Sequence, residues 1–409
     1  MSTAPAVALA LLGDALLAWW LLFRPRRGVV PGAERAATGA GGAARGAGRV
    51  ALDGDAPPSA PITLPAMLAV LVAGLAITFA EATALVLGVW RPFLAIHLVH
   101  SHVFLALPAF GALVAWGWPR RATRAARGTA ALGALALAAV GIDSSFVEPY
   151  ALRTEAVTVA VDPARAGRQD LLVGVLADLQ CTEVTDYERG AVARLMAAQP
   201  DLILIPGDLA QLFSDEAWQQ LAPAMRDLLA TLHAPLGVYS VQGNCDPPPI
   251  ARALVLGTEV QFLHDECVRR TWRDRQVTII GTELDVTSPG AQEVLRAACE
   301  PGGEDLRIVL AHLPDVALAL PAGGRVDLVV AGHTHGGQVR LPWIGPLITL
   351  TAVPRAVAGG GLHELNGTPL YVSRGVGHEQ GDAPRVRFLC PPEISLLTLR
   401  TADTPELVR

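Results

Sequence analysis

Gly332-His333-Thr334-His335-Gly336-Gly337-Gln338 is the stretch on which the reading of this chain turns. It follows an apolar run, 326–331, that ends in small residues, so the pattern predicts a strand opening directly into a tight loop. Two histidines one residue apart, on backbone flanked by glycine, can aim ring nitrogens at one small volume beyond the strand end. Neutral imidazole is a common metal ligand, so the arrangement suits a cation. Alone, such a pair is only suggestive. The segments upstream supply the rest.

Working outward, Val157, Val159 and Val161 alternate as in a strand, and 170–176, 201–206, 237–241 and 306–311 read as further buried strands. Segments 187–198 and 215–232 carry helical spacing. Strands alternating with helices imply an α/β core, in which polar groups at strand ends gather into one site. In order, those ends are Asp178-Leu179-Gln180, Gly207-Asp208, Gly243-Asn244-Cys245-Asp246, His312 and the histidine pair.

The ordered blocks DLQ, GDLAQ, GNCD, AHLPD and GHTHGGQ resemble the calcineurin-like metallophosphoesterases, whose pattern is DxH, GDxxD, GNH(D/E), H and GHxH. YVSRGVG (371–377) and FLCPPEISLL (388–397) look like the membrane-linked bacterial branch of that family. The resemblance covers about 170–399. It implies a two-sheet sandwich flanked by helices, with two divalent metal ions at the strand ends. Carried over by position, Asp208 bridges both metals, Asp178 and His335 hold the first, and Asn244, His312 and His333 hold the second. Mixed nitrogen and oxygen ligands favour Mn, Fe or Zn over Ca or Mg. A water activated between two such ions can attack phosphorus in line.

Three positions depart from the pattern. Gln180 stands where the family has a metal-binding histidine, and its amide oxygen is a weaker donor. Gln211 replaces the second aspartate of GDxxD. Cys245 replaces the histidine that assists the transition state, and a thiol is a poor acid-base group at neutral pH. Three readings stay open: an active site with another proton donor such as His378 or Arg374, a decayed sensory domain, or redox control involving Cys181. Cys245 and Asp246 are the catalytic candidates, Asp246 by orienting the loop or a ligand rather than by holding metal. Arg374 and His378 are the substrate-binding candidates: the Arg374 guanidinium can clasp a phosphate with two bonds or sit in a structural salt bridge, and His378 belongs to the site or to the surface beside it.

Composition narrows the chemistry. All 32 Lys plus Arg residues are arginine, which removes Schiff-base, P-loop and lysine-base mechanisms. Up to Tyr150, 11 Arg face 7 acids (+4); beyond it 21 Arg face 31 acids (−10). The acidic second part argues against nucleic-acid binding there. Five cysteines without a CxxC do not form a disulfide framework.

Residues 1–150 read as a membrane domain with about four transmembrane helices, at 4–23, 64–90, 93–118 and 129–146, and residues 151–409 as the phosphoesterase domain. A flexible, cytoplasmic linker occupies 24–61. Arginines 24, 26, 27, 35, 45 and 49, then 120, 121, 124 and 127, place both flanking loops in the cytoplasm. The catalytic half is therefore expected on the outer side of a multi-pass inner membrane. A cleaved signal peptide is the rival for the first span, though no positive segment precedes it. Glu81, His97, His100 and His102, with Asp14, are intramembrane ionisable groups that read as helix–helix contacts or as a metal, haem or proton-relay site. The expected activity is hydrolysis of a phosphomonoester or phosphodiester at the membrane surface, with a lipid or envelope-linked phosphate among the candidate substrates and membrane lipids as neighbours. The alternative is a non-catalytic, metal-binding membrane sensor or scaffold.

Overall fold

The computed structural model describes residues 92–116 and 123–401. The expected spans 4–23 and 64–90, the linker 24–61, Asp14 and Glu81 lie outside the described residues. The chain divides into two compact units, 1–141 and 142–409.

In the first unit, α1 (Pro92–Ser101) and α2 (Leu107–Trp116) are joined by a π-helical turn at His102–Ala106, and α3 (Arg124–Ile142) follows. Two described helices, Ile96–Trp116 and Arg124–Tyr150, are long and apolar enough to cross a membrane. They overlap the expected third and fourth spans, and the fourth is longer than its apolar centre suggested. Leu132 and Leu135 on α3 are 71% and 70% exposed among the described residues. His102 Nδ1 lies 2.8 Å from the Leu98 carbonyl one turn earlier.

The second unit contains two six-stranded mixed sheets. One runs in the order β1 (Arg153–Val161), β14 (Glu393–Thr401), β2 (Leu171–Val175), β3 (Leu202–Ile205), β4 (Val238–Ser240), β5 (Val260–Phe262). The other runs β12 (Gly361–Leu365), β13 (Thr368–Val372), β9 (Leu328–Ala331), β8 (Leu306–Leu310), β7 (Arg275–Gly281), β6 (Glu266–Trp272). A short antiparallel ribbon, β10 (Arg340–Leu341) with β11 (Gly345–Pro346), stands apart. Strand β14 is parallel to β1 and antiparallel to β2.

Period-two alternation builds the layers. Leu202 and Leu204 point between the sheets with Ile308, Leu310, Leu328 and Val330. Their neighbours Ile203 and Ile205 face α4 (Asp186–Ala197) and α5 (Asp215–Leu229) on one outside. Val309, Val329 and Ala331 face Pro289–Cys299 and two shorter helices on the other. Every strand buried on both faces thus reads as an unbroken apolar run. Helix α4 starts where a capping box fixes it: Glu188 accepts the Thr185 amide at 2.8 Å, and the Thr185 hydroxyl accepts the Tyr187 N–H at 3.2 Å.

The second unit is thus an α/β sandwich of two sheets between helices. What matters for the site is that β2, β3 and β4 of one sheet and β8, β9 and β13 of the other end on the same side. There the sheets are stitched together: the Val376 amide, just past β13, donates to the Ala177 carbonyl past β2 at 3.0 Å.

Candidate metal centre

Each strand end turns sharply to deliver one or two polar side chains. Asp178, Gln180, Asp208, His333 and His335 all have φ between 40° and 71°, a left-handed conformation unfavourable for side chains of this kind. Five such residues on three turns mark a place where the fold tolerates strain to aim groups inward. Two glycines make room. A Cβ on Gly243 would collide with the Asp208 carboxylate, and one on Gly332 would sit 2.7 Å from Asp178 Oδ2.

Donor atoms of Asp178, Asp208 and His312 all fall within 4.8 Å of one another, and all three side chains are buried. His312 Nδ1 faces the Pro206 carbonyl at 2.7 Å, so that nitrogen carries the proton and Nε2 carries a lone pair. His333 Nε2 faces the Leu350 carbonyl at 3.1 Å, which likewise leaves the lone pair on Nδ1. Both lone pairs point at Asn244 Oδ1, each at 2.8 Å, while the Asn244 amide nitrogen faces Cys245 Sγ at 3.3 Å. Asp208 Oδ2 lies 3.4 Å from His312 Nε2. Four acceptors converge with no hydrogen to share, which is costly in a buried site unless a cation fills the centre.

The electrostatics agree. Burial and the neighbouring Asp208 push the Asp178 carboxyl well above its usual range. Burial and the adjacent His312 lower His333 to about 4, and burial with Arg387 lowers His335 further from its usual value. The imidazoles are therefore neutral and able to ligate. His335 is buried, its Nδ1 3.5 Å from Arg387 Nη2.

Gln180 is buried, and its Oε1 has no hydrogen-bond partner. Its amide nitrogen contacts Gln211 Oε1 at 3.0 Å, Glu379 Oε2 at 3.2 Å and Cys245 Sγ at 3.4 Å. An orphaned, buried carbonyl oxygen fits a metal ligand better than a buried spectator.

Cys245 contributes through its backbone: its amide donates to Asp208 Oδ1 at 2.8 Å. Burial and the Asp208 carboxylate push its thiol far above the ordinary range, so it remains protonated.

Two of the candidates engage other groups of the protein. Asp246, paired with Cys245 as catalytic, has both carboxylate oxygens spent on backbone: Oδ1 accepts from Gly243 at 2.6 Å and Asp208 at 3.2 Å, and Oδ2 from Leu209 at 2.8 Å. It is a positioning residue that ties two strand-end loops together. Arg374, expected to bind substrate, is held by Glu155 at 2.9 Å and by Glu393. Both ion pairs are made by its Nη2. His378 is also buried, its Nδ1 3.2 Å from the Glu379 carbonyl and 3.3 Å from Gln380 Nε2.

Two residues escaped sequence reasoning. Arg387 is fully buried and donates to the carbonyls of Arg374 at 2.8 Å, Cys390 at 3.1 Å and Gly377. A charge inside the run Val386-Arg387-Phe388-Leu389-Cys390 was the available signal. Glu379 accepts from Gln211 at 2.7 Å as well as from Gln180, and no motif marks it.

Residues 171–337 match the family described as calcineurin-like phosphoesterase. The phosphodiesterase YaeI of Escherichia coli (strain K12) is 30% identical over 217 residues, covering 51% of this chain and 74% of its own length. The chain belongs to the calcineurin-like phosphoesterase family. An uncharacterized metallophosphoesterase of Bacillus subtilis (strain 168) is 27% identical over 285 residues, 68% of this chain and 95% of that one. The UDP-2,3-diacylglucosamine pyrophosphatase LpxG of Chlamydia trachomatis is 23% identical over 328 residues, with 62% and 91% covered. As a calcineurin-like phosphoesterase, this chain is a metal-dependent hydrolase of phosphoesters.

Proposed function

We propose that this phosphoesterase uses two divalent cations, Mn, Fe or Zn, to hydrolyse a phosphomonoester or phosphodiester next to a membrane. The observation that carries the reading is the convergence of lone pairs from His312 Nε2, His333 Nδ1 and Asn244 Oδ1 beside the Asp178–Asp208 pair. Asp178, Gln180, Asp208 and His335 would hold one ion, and Asp208, Asn244, His312 and His333 the other. Bound cations supply an activated water and neutralise the phosphoryl oxygens. The remaining work belongs to the chain. Asp246 and the Cys245 amide hold Asp208 in place. The Pro206 and Leu350 carbonyls fix the imidazole tautomers. Glu379 orients Gln180. Cys245, whose thiol is held protonated, offers no strong acid to a departing oxygen, which favours substrates with good leaving groups.

The membrane setting rests on the two apolar helices and on the arginine-rich loops. Together they support a multi-pass inner-membrane protein with its metal centre outside the cytoplasm. A lipid or envelope-linked phosphoester is the substrate class that setting favours, and the Chlamydia relative is named for a substrate of that kind.

The test is metal analysis of the purified full-length protein together with turnover of bis-aryl and mono-aryl phosphates under added Mn. Bound metal and turnover are expected. Metal without turnover on either ester would sink the hydrolase reading and leave the sensor or scaffold.

A further inference from the structure

Among the described residues of the second unit, exposed apolar side chains are unevenly placed. Trp343, Ile344, Leu347, Ile348 and Leu350 lie in one short segment and are 103%, 55%, 46%, 41% and 60% exposed. The segment 341–354 contains no charged residue and is bracketed by Arg340 and Arg355. Strands β10 and β11 clamp its start into a tight ribbon with Trp343 at the tip, where φ is 64°. Folding gains nothing by displaying an indole this way in water.

Two hydrogen-bond links tie this ribbon to the rest of the site's rim. On one side, the Arg340 amide donates to the Phe388 carbonyl at 2.9 Å, and the next residue's amide, Leu389, donates to Glu148 at 2.8 Å. Glu148 belongs to the last turns of the helix Arg124–Tyr150, and neighbouring Phe146, Val147 and Tyr150 are 73%, 54% and 51% exposed. On the other side, the Leu350 carbonyl is the partner of His333. Exposed apolar side chains therefore stand at both ends of this set of links, Phe146, Val147 and Tyr150 beside Glu148 and the 343–350 segment beside His333. Arg355 and Arg385 are exposed, as anionic headgroups would require.

We propose that the 341–350 ribbon is an interfacial anchor that dips Trp343 and Ile344 into the bilayer surface, so that the metal centre opens at headgroup level. Its occupant is the lipid surface itself, because the segment carries a fully exposed Trp between arginines, the residues that settle at such boundaries, and is tied through Phe388 and Leu389 to Glu148 beside the exposed Phe146, Val147 and Tyr150. This deepens the proposed function: the site would meet a phosphoester still attached to its lipid, with the apolar part lying along the ribbon.

Full-length protein is placed in phosphatidylcholine–phosphatidylglycerol vesicles with or without bromine on the acyl chains. Subtracting the Trp343→Phe spectrum isolates Trp343 among the eight tryptophans. Brominated lipid should quench that component roughly twofold or more. A Trp343→Glu/Ile344→Glu variant should keep its turnover of bis-aryl phosphate in detergent, since neither side chain touches the metal ligands. An unquenched, red-shifted Trp343 would overturn the anchor by showing it in water. An unquenched, blue-shifted Trp343 with a dimer that the double variant dissolves would overturn it in favour of a second copy. Quenching is read independently of turnover, so an inactive but quenched protein would defeat the hydrolase reading alone.

Discussion

His312 Nε2 and His333 Nδ1 stand 3.2 Å apart, and neither holds a proton to give the other, because each ring has spent its N–H on a backbone carbonyl. Without a cation this contact is repulsive. Metal should therefore stabilise the fold by mass action: titrating Mn into stripped protein should raise the melting temperature progressively, by about 2.7 kcal/mol of stability at a hundredfold excess over Kd. A melting curve indifferent to Mn, Fe and Zn would contradict the site.

Asp246 touches no donor atom of the cluster, yet it holds the amides of Gly243, Asp208 and Leu209. Asp246→Asn should lower metal affinity or turnover by about 10–100-fold while leaving the protein folded. Asp208→Asn should lose more, because it removes the donor itself. Metal content by mass spectrometry and turnover of bis-aryl phosphate separate the two.

Cys245 sits beside Asp208 and is half-buried, with its thiol raised by desolvation and by that carboxylate, whereas Cys267 is exposed. In metal-stripped protein at pH 8, iodoacetamide should label Cys267 well before Cys245, read by peptide mass spectrometry. Since the thiol is an inadequate acid, Cys245→His should raise turnover of poor leaving groups more than of aryl phosphates.

Burial and the neighbouring Arg387 lower His378 to about 4. Its free value is 6.5, so between those limits the unfolded chain binds the extra proton and acid destabilises the fold. That stability is present above about 6.5 and is lost as pH falls toward 4. His378→Asn should flatten the decline in melting temperature across this window; an unchanged slope would show that His378 is not buried as described.

Arg387 is fully buried among carbonyls that have few other donors. Arg387→Met should cost on the order of 3 kcal/mol in denaturant unfolding, since it orphans several acceptors at once.

The central strands and their ligands were readable because a buried parallel strand is an apolar run that stops where a polar side chain is delivered, as at 201–208. Strand β6 was not readable: Glu266–Trp272 is a mostly exposed edge strand, with charges where an inner strand carries Val or Ile. The pairing of β1 with β14 depends on contacts far apart in sequence that no local pattern encodes. At the site, motif position identified Asp178, Asp208, Asn244, His312 and His333 but could not reveal whether a side chain was already engaged. For Arg374 the sequence left a phosphate clasp and a structural salt bridge open, and only the structure shows its pairing with Glu155 and Glu393. Glu379 became visible only through its neighbours.

Strand β1 touches its sheet solely through β14, the last strand made, which slots between β1 and β2. A nascent chain must therefore keep β1 waiting, without a strand partner, until residues 393–401 arrive. Assembly of this unit is gated by synthesis of its final segment, and a ribosome stalled before Glu393 would present an open strand edge prone to mispairing.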